Sequence, residues 1–139
     1  MLKQIEALAL FCKLEFWHML SDNKMILERA NEAIARGDYE AFLAFCSEDT
    51  LWTFVGETVL RGKQAVRKYM AEVYVEPPKF IVENMIAEGE FVTALGRICI
   101  RDEDGHMVDN AYCDVWRFQN GKMAELKAFV IKASCMHTV

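Results

Sequence analysis

The second half of the chain alternates hydrophobic and polar residues with a period of two, which is typical of β-strands. The alternation predicts four strands, at Lys79–Ala87, Phe91–Arg101, His106–Gln119 and Lys122–Lys132. The separating segments contain Glu88-Gly89, Asp104-Gly105 and Asn120-Gly121. Links this short join neighbouring antiparallel strands. The second half is therefore predicted to form a four-stranded antiparallel meander.

The first half follows a helical period instead. Ser21 or Asp22 can cap a helix that runs to Arg36, and Gly37 suits the position just beyond its end. Asp38 can then cap a second helix. The remaining predicted elements are a short strand at Leu51–Val55, an irregular link, and a helix at Lys63–Tyr74 that ends before Pro77-Pro78. Helices gathered before an antiparallel sheet predict an α+β fold with the helices on one face of the sheet.

Residues 1–20 are predicted to be an extra N-terminal helix, ahead of a single domain at residues 21–139. Charged residues interrupt this segment, so it fits neither a transmembrane helix nor a signal peptide. One helical face would carry Ile5, Leu8, Cys12, Phe16 and Met19. The pattern favours a helix packed on the domain or on a neighbouring subunit. A membrane-surface helix, or a natural start at Met19, are the alternatives.

One strand carries an acid at a position where burial of an apolar residue would cost less free energy. It runs from Ala111 into Asn120-Gly121, which supplies the two positive φ angles of a type I′ turn. One face of this strand carries Tyr112, Asp114, Trp116 and Phe118. Three of these four are aromatic, so the face is predicted to point inward. Burial among rings should raise the pKa of Asp114, as is common at catalytic or ligand-binding acids.

The composition of the chain argues against some classes of partner and indicates its cellular compartment. The 139 residues carry a net charge of −5, which argues against a general nucleic-acid surface. The five cysteines, an odd number without a Cys-x-x-Cys motif, favour reduced thiols in a cytoplasmic protein. His18, His106 and His137 lie far apart and suggest no pairing with a Cys or an acid at ligand spacing, so no metal site is expected.

Three motifs in order resemble the nuclear transport factor 2-like superfamily, and within it SnoaL-like and ketosteroid isomerase-like proteins. They are the helix–Gly–Asp–helix segment at residues 33–42, Leu60–Val66, and the strand Asp114–Phe118 with its turn Asn120-Gly121-Lys122. The resemblance covers residues 21–132. It implies a cone-shaped, cystatin-like fold, in which three helices pack on a strongly curved, mainly antiparallel sheet around an apolar pocket. It also implies frequent dimers through the outer face of the sheet.

The resemblance carries over one functional residue of the isomerases. Asp114 matches their protonated acid, which donates a hydrogen bond to the substrate oxygen. Their general base would fall on Thr53 or Phe54 and their helix tyrosine near Ala30, so steroid isomerisation itself is not expected. In epoxide hydrolase-like relatives, Arg97 would match an arginine, but Cys99 and Ala128 occupy the positions of its two acids.

These observations predict a site built around Asp114, with Tyr112 as a second hydrogen-bond donor. The expected pocket wall consists of Trp52, Phe54, Met70, Tyr74, Phe80 and Trp116. Arg97 would neutralise Asp114 if it pointed inward, but an outward position is equally open. Two functions follow: a cofactor-free isomerase, cyclase or hydratase acting on a small apolar carbonyl compound, or a non-catalytic ligand-binding or dimerisation domain. No metal, nucleic-acid or membrane partner is expected.

The opposite face of the last two strands predicts a homodimer. It carries Cys113, Val115, Arg117, Glu125, Lys127, Phe129 and Ile131. This face is too apolar to lie wholly bare, since large apolar patches usually mark an interface. Arg117 and Lys127 of one subunit could then meet Glu125 of the other. The N-terminal helix is a rival cover for the same face.

Overall fold

The computed structural model describes residues 2–133, except for the side chains at positions 16 and 19–21. The helices are α1 (Leu2–Ala35), α2 (Tyr39–Ala44) and α3 (Lys63–Val73). The strands are β1 (Cys46–Phe54), β2 (Thr58–Arg61), β3 (Lys79–Glu88), β4 (Phe91–Arg101), β5 (Met107–Gln119) and β6 (Lys122–Lys132). The expectations for Cys135 and His137 fall outside the described residues.

The six strands form one curved, unclosed sheet in the order β2-β1-β6-β5-β4-β3. Strands β3 to β6 pair antiparallel with their neighbours in the chain, so the predicted meander is confirmed. The first strand pairs antiparallel with β2 and parallel with β6, the last strand of the chain. The predicted α+β fold is therefore confirmed, with a parallel pair that links the two halves of the chain.

The turn between α1 and α2 forms as its residues predict. The N–H groups of Gly37 and Asp38 donate to the carbonyls of Ile34 and Ala33, at 2.9 Å each. This pairing closes the end of α1, and it places Gly37 at a φ of 77°, which favours glycine. The Asp38 side chain then accepts a hydrogen bond from the Ala41 N–H and caps α2.

The predicted start of a helix at Ser21 or Asp22 is wrong, because α1 continues across this point without a break. No proline or glycine interrupts residues 2–35, so helical hydrogen bonding can run through the whole segment. The second half of α1 buries Leu27, Ala30 and Ala33 in the core. The division of the chain at residue 20 stays a prediction.

The first half of α1 does not pack on the rest of its own chain, contrary to one of the expectations. Leu8 and Trp17 are each 68% exposed, and the other described side chains up to His18 are exposed as well. Among residues 2–133, no helix is long and apolar enough to cross a membrane.

The sheet extends further than predicted near β1. The link expected after the first strand contains β2, and β1 itself begins at Cys46 rather than at Leu51. Gly56 lies in the turn between the two strands with a φ of 84°. This turn converts the predicted irregular link into a short hairpin.

Gly96 lies where the backbones of β3 and β4 approach each other closely, beside an irregularity in their pairing. The pairing of these strands shifts register between Val82 and Asn84, which is a β-bulge. A Cβ atom on Gly96 would lie only 1.9 Å from the carbonyl oxygen of Ile81 and 2.9 Å from Cε1 of Tyr112. Only glycine therefore allows this close approach, which places the Tyr112 ring over the strand on the concave face.

The convex, outer face of the sheet carries two ion pairs. Arg97 Nε lies 3.0 Å from Glu83 Oε1, and Arg117 Nε lies 3.1 Å from Glu125 Oε2. The second pair joins residues directly opposite each other on β5 and β6. Glu125 thus has a cationic partner within its own chain, and its pairing with the other subunit stays a prediction.

Candidate functional site

A cavity of about 90 Å³ lies between the concave face of the sheet and the helices. Trp52 and Phe54 of β1, Tyr112 and Trp116 of β5, and Tyr74 and Phe80 on either side of the proline pair line it. All six of these side chains are aromatic, and most of the other lining residues are aliphatic, so the wall is largely apolar. A space of this size can hold several water molecules or a small organic group.

One predicted wall residue, Met70, does not line the cavity. Its side chain is 1% exposed and belongs to the core, together with Val66 one turn earlier on α3. Helix α3 turns this buried stripe towards β1 and β2, so Met70 fills the core instead. Tyr74, directly after the helix, does reach the cavity.

Asp114 lies on the cavity wall. Its neighbours across the sheet are Ala94 and Ala128, whose small side chains leave the carboxyl facing the open space. Burial raises the pKa of Asp114 from 3.8 to about 7, because a carboxylate loses hydration there. No group among residues 2–133 donates a hydrogen bond to this side chain. The protonated form of the carboxyl therefore persists to a much higher pH than in a free aspartate.

Among the described residues of the cavity wall, none carries a positive charge that could offset an ionised Asp114. Arg97 is exposed on the outer face and pairs with Glu83, so the alternative in which it points inward is wrong. No Lys, Arg or His occurs among the described residues that line the cavity. An ionised Asp114 would thus be an uncompensated charge, which favours its protonated, hydrogen-bond-donating form.

Two tyrosines accompany the acid. Burial, then the nearby Asp114 charge, raises the pKa of Tyr112 to about 12. Burial also raises the pKa of Tyr74, and the charges of Tyr69 and Asp114 add to this effect. Both hydroxyls consequently stay protonated at physiological pH. The Tyr39 hydroxyl donates to the backbone carbonyl of Tyr74 at 2.8 Å and fixes this part of the wall.

The chain matches the family model of the SnoaL-like domain over residues 27–126. It belongs to the SnoaL-like family. The matched region contains Asp114, both tyrosines and most of the aromatic wall. No curated protein matches the chain.

Solved structures share the fold of this SnoaL-like protein at low sequence identity. A nuclear transport factor 2-like protein of unknown function from Cytophaga hutchinsonii is 22% identical, with a TM-score of 0.66 over 81% of this chain and 99% of that one. Another, from Burkholderia pseudomallei, is 21% identical, with a TM-score of 0.68 over 77% and 88%. An LEH-like epoxide hydrolase from M. tuberculosis is 14% identical, with a TM-score of 0.71 over 80% of this chain and 84% of that one. These similarities establish the fold alone.

Three residues of α1 in this SnoaL-like protein also line the cavity, and none of them was predicted from the sequence as part of its wall. Asn31 and Ile34 line the cavity together with Leu27, at the spacing of one helical face. A polar residue on an otherwise apolar face was the available signal, and it is the same signal that identified Asp114. Asn31 adds an amide that can both donate and accept hydrogen bonds.

The position that the resemblance assigned to a general base holds no ionisable group. Thr53 pairs with Lys127 in the sheet, and Phe54 lines the cavity. Two aromatic rings of the cavity wall pack against each other: those of Trp52 and Trp116 meet edge to face, with centroids 5.6 Å apart. Trp52 Nε1 is buried and has no hydrogen-bond partner among the described residues.

One cluster contradicts the expectation that no histidine pairs with an acid at ligand spacing. Ligand-type atoms of Asp102, Asp104 and His106 all lie within 4.8 Å of one another in the hairpin between β4 and β5. Asp102 accepts hydrogen bonds from the N–H groups of Asp104 and His106, at 3.0 and 2.8 Å. These bonds account for the arrangement as an exposed turn, and none of the three residues lines the cavity.

Proposed function

We propose that this protein binds a small, apolar carbonyl compound in the cavity and that Asp114 acts as the acid or hydrogen-bond donor to its oxygen. The reaction would be an isomerisation, cyclisation or hydration that needs no cofactor. The observation that carries the proposal is a carboxyl with a pKa of about 7 on an aromatic wall, where no described lining residue is a cation. Such an acid is ready for proton transfer near neutral pH.

In this mechanism the apolar wall binds the body of the ligand and excludes water. Asp114 donates a hydrogen bond to the carbonyl oxygen and stabilises the negative charge that develops there. Tyr112 supplies a second donor, and Tyr74, whose pKa responds to the same carboxyl, is a third candidate. A bound water would assist where a proton must move to or from carbon.

A panel of steroid, polyketide and terpenoid ketones tests the proposal. Thermal shift and calorimetry would measure binding, and chromatography would detect converted product. We expect at least one ketone to bind the protein, and Asp114→Asn to abolish turnover while the fold remains intact. Asp109→Asn, an exposed acid of the same strand, is the matched control and should leave both unchanged. Undiminished turnover by Asp114→Asn would contradict the assigned role.

A non-catalytic ligand-binding domain is the second candidate. It is favoured by one observation: Asp114 is the only carboxyl among the described residues lining the cavity, whereas many proton transfers need a second base. Ligand binding by the wild type without any conversion, weakened by Tyr112→Phe or Asp114→Asn, would support this candidate.

We also propose that the protein is a cytoplasmic homodimer without nucleic-acid or membrane partners, with residues 21–139 as its domain and 1–20 as an extension. The cysteine usage supports a reducing compartment. The exposed apolar residues of the outer sheet face support self-association. Sedimentation at micromolar concentration would measure the dimer, and a mass of about 16 kDa at all concentrations would contradict it.

A further inference from the structure

Two apolar surfaces of the chain lie open to solvent. One is the first half of α1, residues 2–18, here called the arm. Leu2, Ile5 and Leu8 near its start are 79%, 63% and 68% exposed. Soluble proteins seldom leave so many large apolar side chains together in water, and such patches mark interaction sites.

The second open surface is the outer face of strands β3 to β6. Phe129 is 40% exposed, Ile131 is 69% exposed, and Phe91 is 46% exposed. Register places Phe129 beside Cys113, and Cys113 beside Leu95, so an apolar strip crosses three neighbouring strands. Four strands at about 4.8 Å spacing offer a width of roughly 15–19 Å, enough to seat a helix about 10 Å across.

The arm cannot reach the outer face of its own sheet. The second half of α1 packs on the concave side, where Leu27, Asn31 and Ile34 line the cavity. The helix continues into the arm without a break, and no proline or glycine occurs between residues 2 and 35 to bend it. A straight helix fixed on one side of a sheet cannot fold back onto the other side.

We propose that each arm docks on the outer sheet face of a second copy of this chain, so that two copies exchange arms. A helix of this length is roughly 25 Å long and about 10 Å across, so two such contacts would bury on the order of 1,000 Å². Specific interfaces begin near this area. The exchange would bury both exposed apolar surfaces, the arm and the outer sheet face, in one twofold-symmetric interface. It does not depend on the ligand of the cavity.

The side of the arm that meets the sheet carries Ile5, Leu8 and Cys12, which lie within one helical face. Cys12 is exposed, and Cys113 is partly exposed in the middle of the outer face. The exchanged dimer therefore brings a native thiol of one copy close to a different native thiol of the other.

Cross-linking of mixed chains tests this pairing. The Cys12→Ser chain, labelled with ¹⁵N, would be mixed with the unlabelled Cys113→Ser chain and treated with a short bismaleimide. We expect mass spectrometry to find labelled Cys113 joined to unlabelled Cys12, a link that only two different chains can make. In the wild type, Cys113 joined to Cys113 would show sheets that pair directly. Cys12 joined to Cys12 would show arms that pair with each other. Either of these results alone would overturn the exchange.

Charge substitutions supply an independent test on the full chain. Leu8→Glu on the arm and Phe129→Glu on the sheet should each weaken dimerisation at least tenfold in sedimentation. Val75→Glu is the matched control, because Val75 is 83% exposed and lies on neither surface; it should leave the dimer unchanged. Circular dichroism would verify that all three variants are folded. A dimer that tolerates Leu8→Glu but not Phe129→Glu would reject the arm while keeping the homodimer.

Discussion

The acidic side chains on the two faces of the sheet differ in whether they have a cationic partner. On the outer face, Glu83 and Glu125 each lie about 3 Å from an arginine nitrogen. On the inner face, Asp114 has neither a cation nor a hydrogen-bond donor among residues 2–133, and its pKa rises to about 7. All three acids belong to the same sheet, so the difference arises from their surroundings alone.

This contrast separates structural acids from a candidate functional one. A paired glutamate on a solvated face stabilises its strand modestly, and its removal changes little else. An unpaired carboxyl in an apolar cavity destabilises the folded state when it is ionised. Proteins tolerate such destabilisation mainly at functional sites, where the carboxyl is required for binding or catalysis. The comparison therefore predicts effects of opposite sign for the inner and outer acids.

The largest loss of stability should come from a substitution in the backbone of the sheet itself, at Gly96 of β4. Gly96→Ala would place a Cβ 1.9 Å from the Ile81 carbonyl oxygen, so the strands must move apart. We expect a loss of roughly 3 kcal/mol or more in the free energy of unfolding, measured with urea. Gly56→Ala is the control: it has the same residue change and a φ of 84°, but no atom within 4 Å. It should lose only about 1 kcal/mol, and equal losses would show that the overlap relaxes freely.

Asp114→Asn should change stability in a pH-dependent way. The pKa rises from 3.8 unfolded to about 7 folded, so the folded state holds the proton longer. The contribution of Asp114 to the stability of the wild type is therefore most favourable below pH 4, and it becomes less favourable as the pH rises towards 7. Relative to the wild type, the variant should gain up to a few kcal/mol between these pH values. Urea unfolding at pH 4, 6 and 8 would measure the gain, and a variant that loses stability at pH 8 would indicate an ionised, paired Asp114.

Arg117→Ala should have a smaller effect in the opposite direction. It removes the partner of Glu125 on a half-buried pair, and we expect a loss of about 1 kcal/mol. The loss should shrink in 1 M salt, because screening weakens the pair in the wild type. A loss that salt leaves unchanged would assign the effect to packing of the arginine stem instead.

The smallest effect should follow from Arg97→Ala. The Arg97–Glu83 pair is well exposed, so stability should change by about 0.5 kcal/mol or less. The pKa of Asp114, followed by NMR of its carboxyl carbon, should stay where it is in the wild type. A clear rise would show that Arg97 acts on the cavity across the sheet.

Strand periodicity predicted most of the sheet and the inward face of Asp114. The limits of β4 and β6 came out as predicted, and turn residues bound β4 at both ends and β6 at its start. The link at residues 56–61 could not be recognised as β2, since four residues with mixed exposure carry too little alternation. The parallel pairing of β1 with β6 is likewise a long-range contact that no local pattern records.

The position of a site residue was predictable where it depends on a single strand. It was not predictable where it depends on the packing of several elements. Asp114 and its aromatic neighbours follow from a single strand. Met70 was misplaced because its orientation depends on how α3 rests on β1 and β2. The orientation of Arg97 required the register of β3 against β4, and the role of Tyr74 required the loop that Tyr39 fixes.

The parallel pairing of β1 and β6 also dictates when the protein can fold during synthesis. β1 leaves the ribosome early, yet its neighbour β6 ends at Lys132. Until those residues emerge, β1 has only the short hairpin partner β2, and Trp52 lacks Trp116 against its ring. Contacts between distant parts of a chain form late and slow the folding rate. We therefore expect the cavity to close only after translation of β6, with nascent chains that remain exposed to chaperones until then.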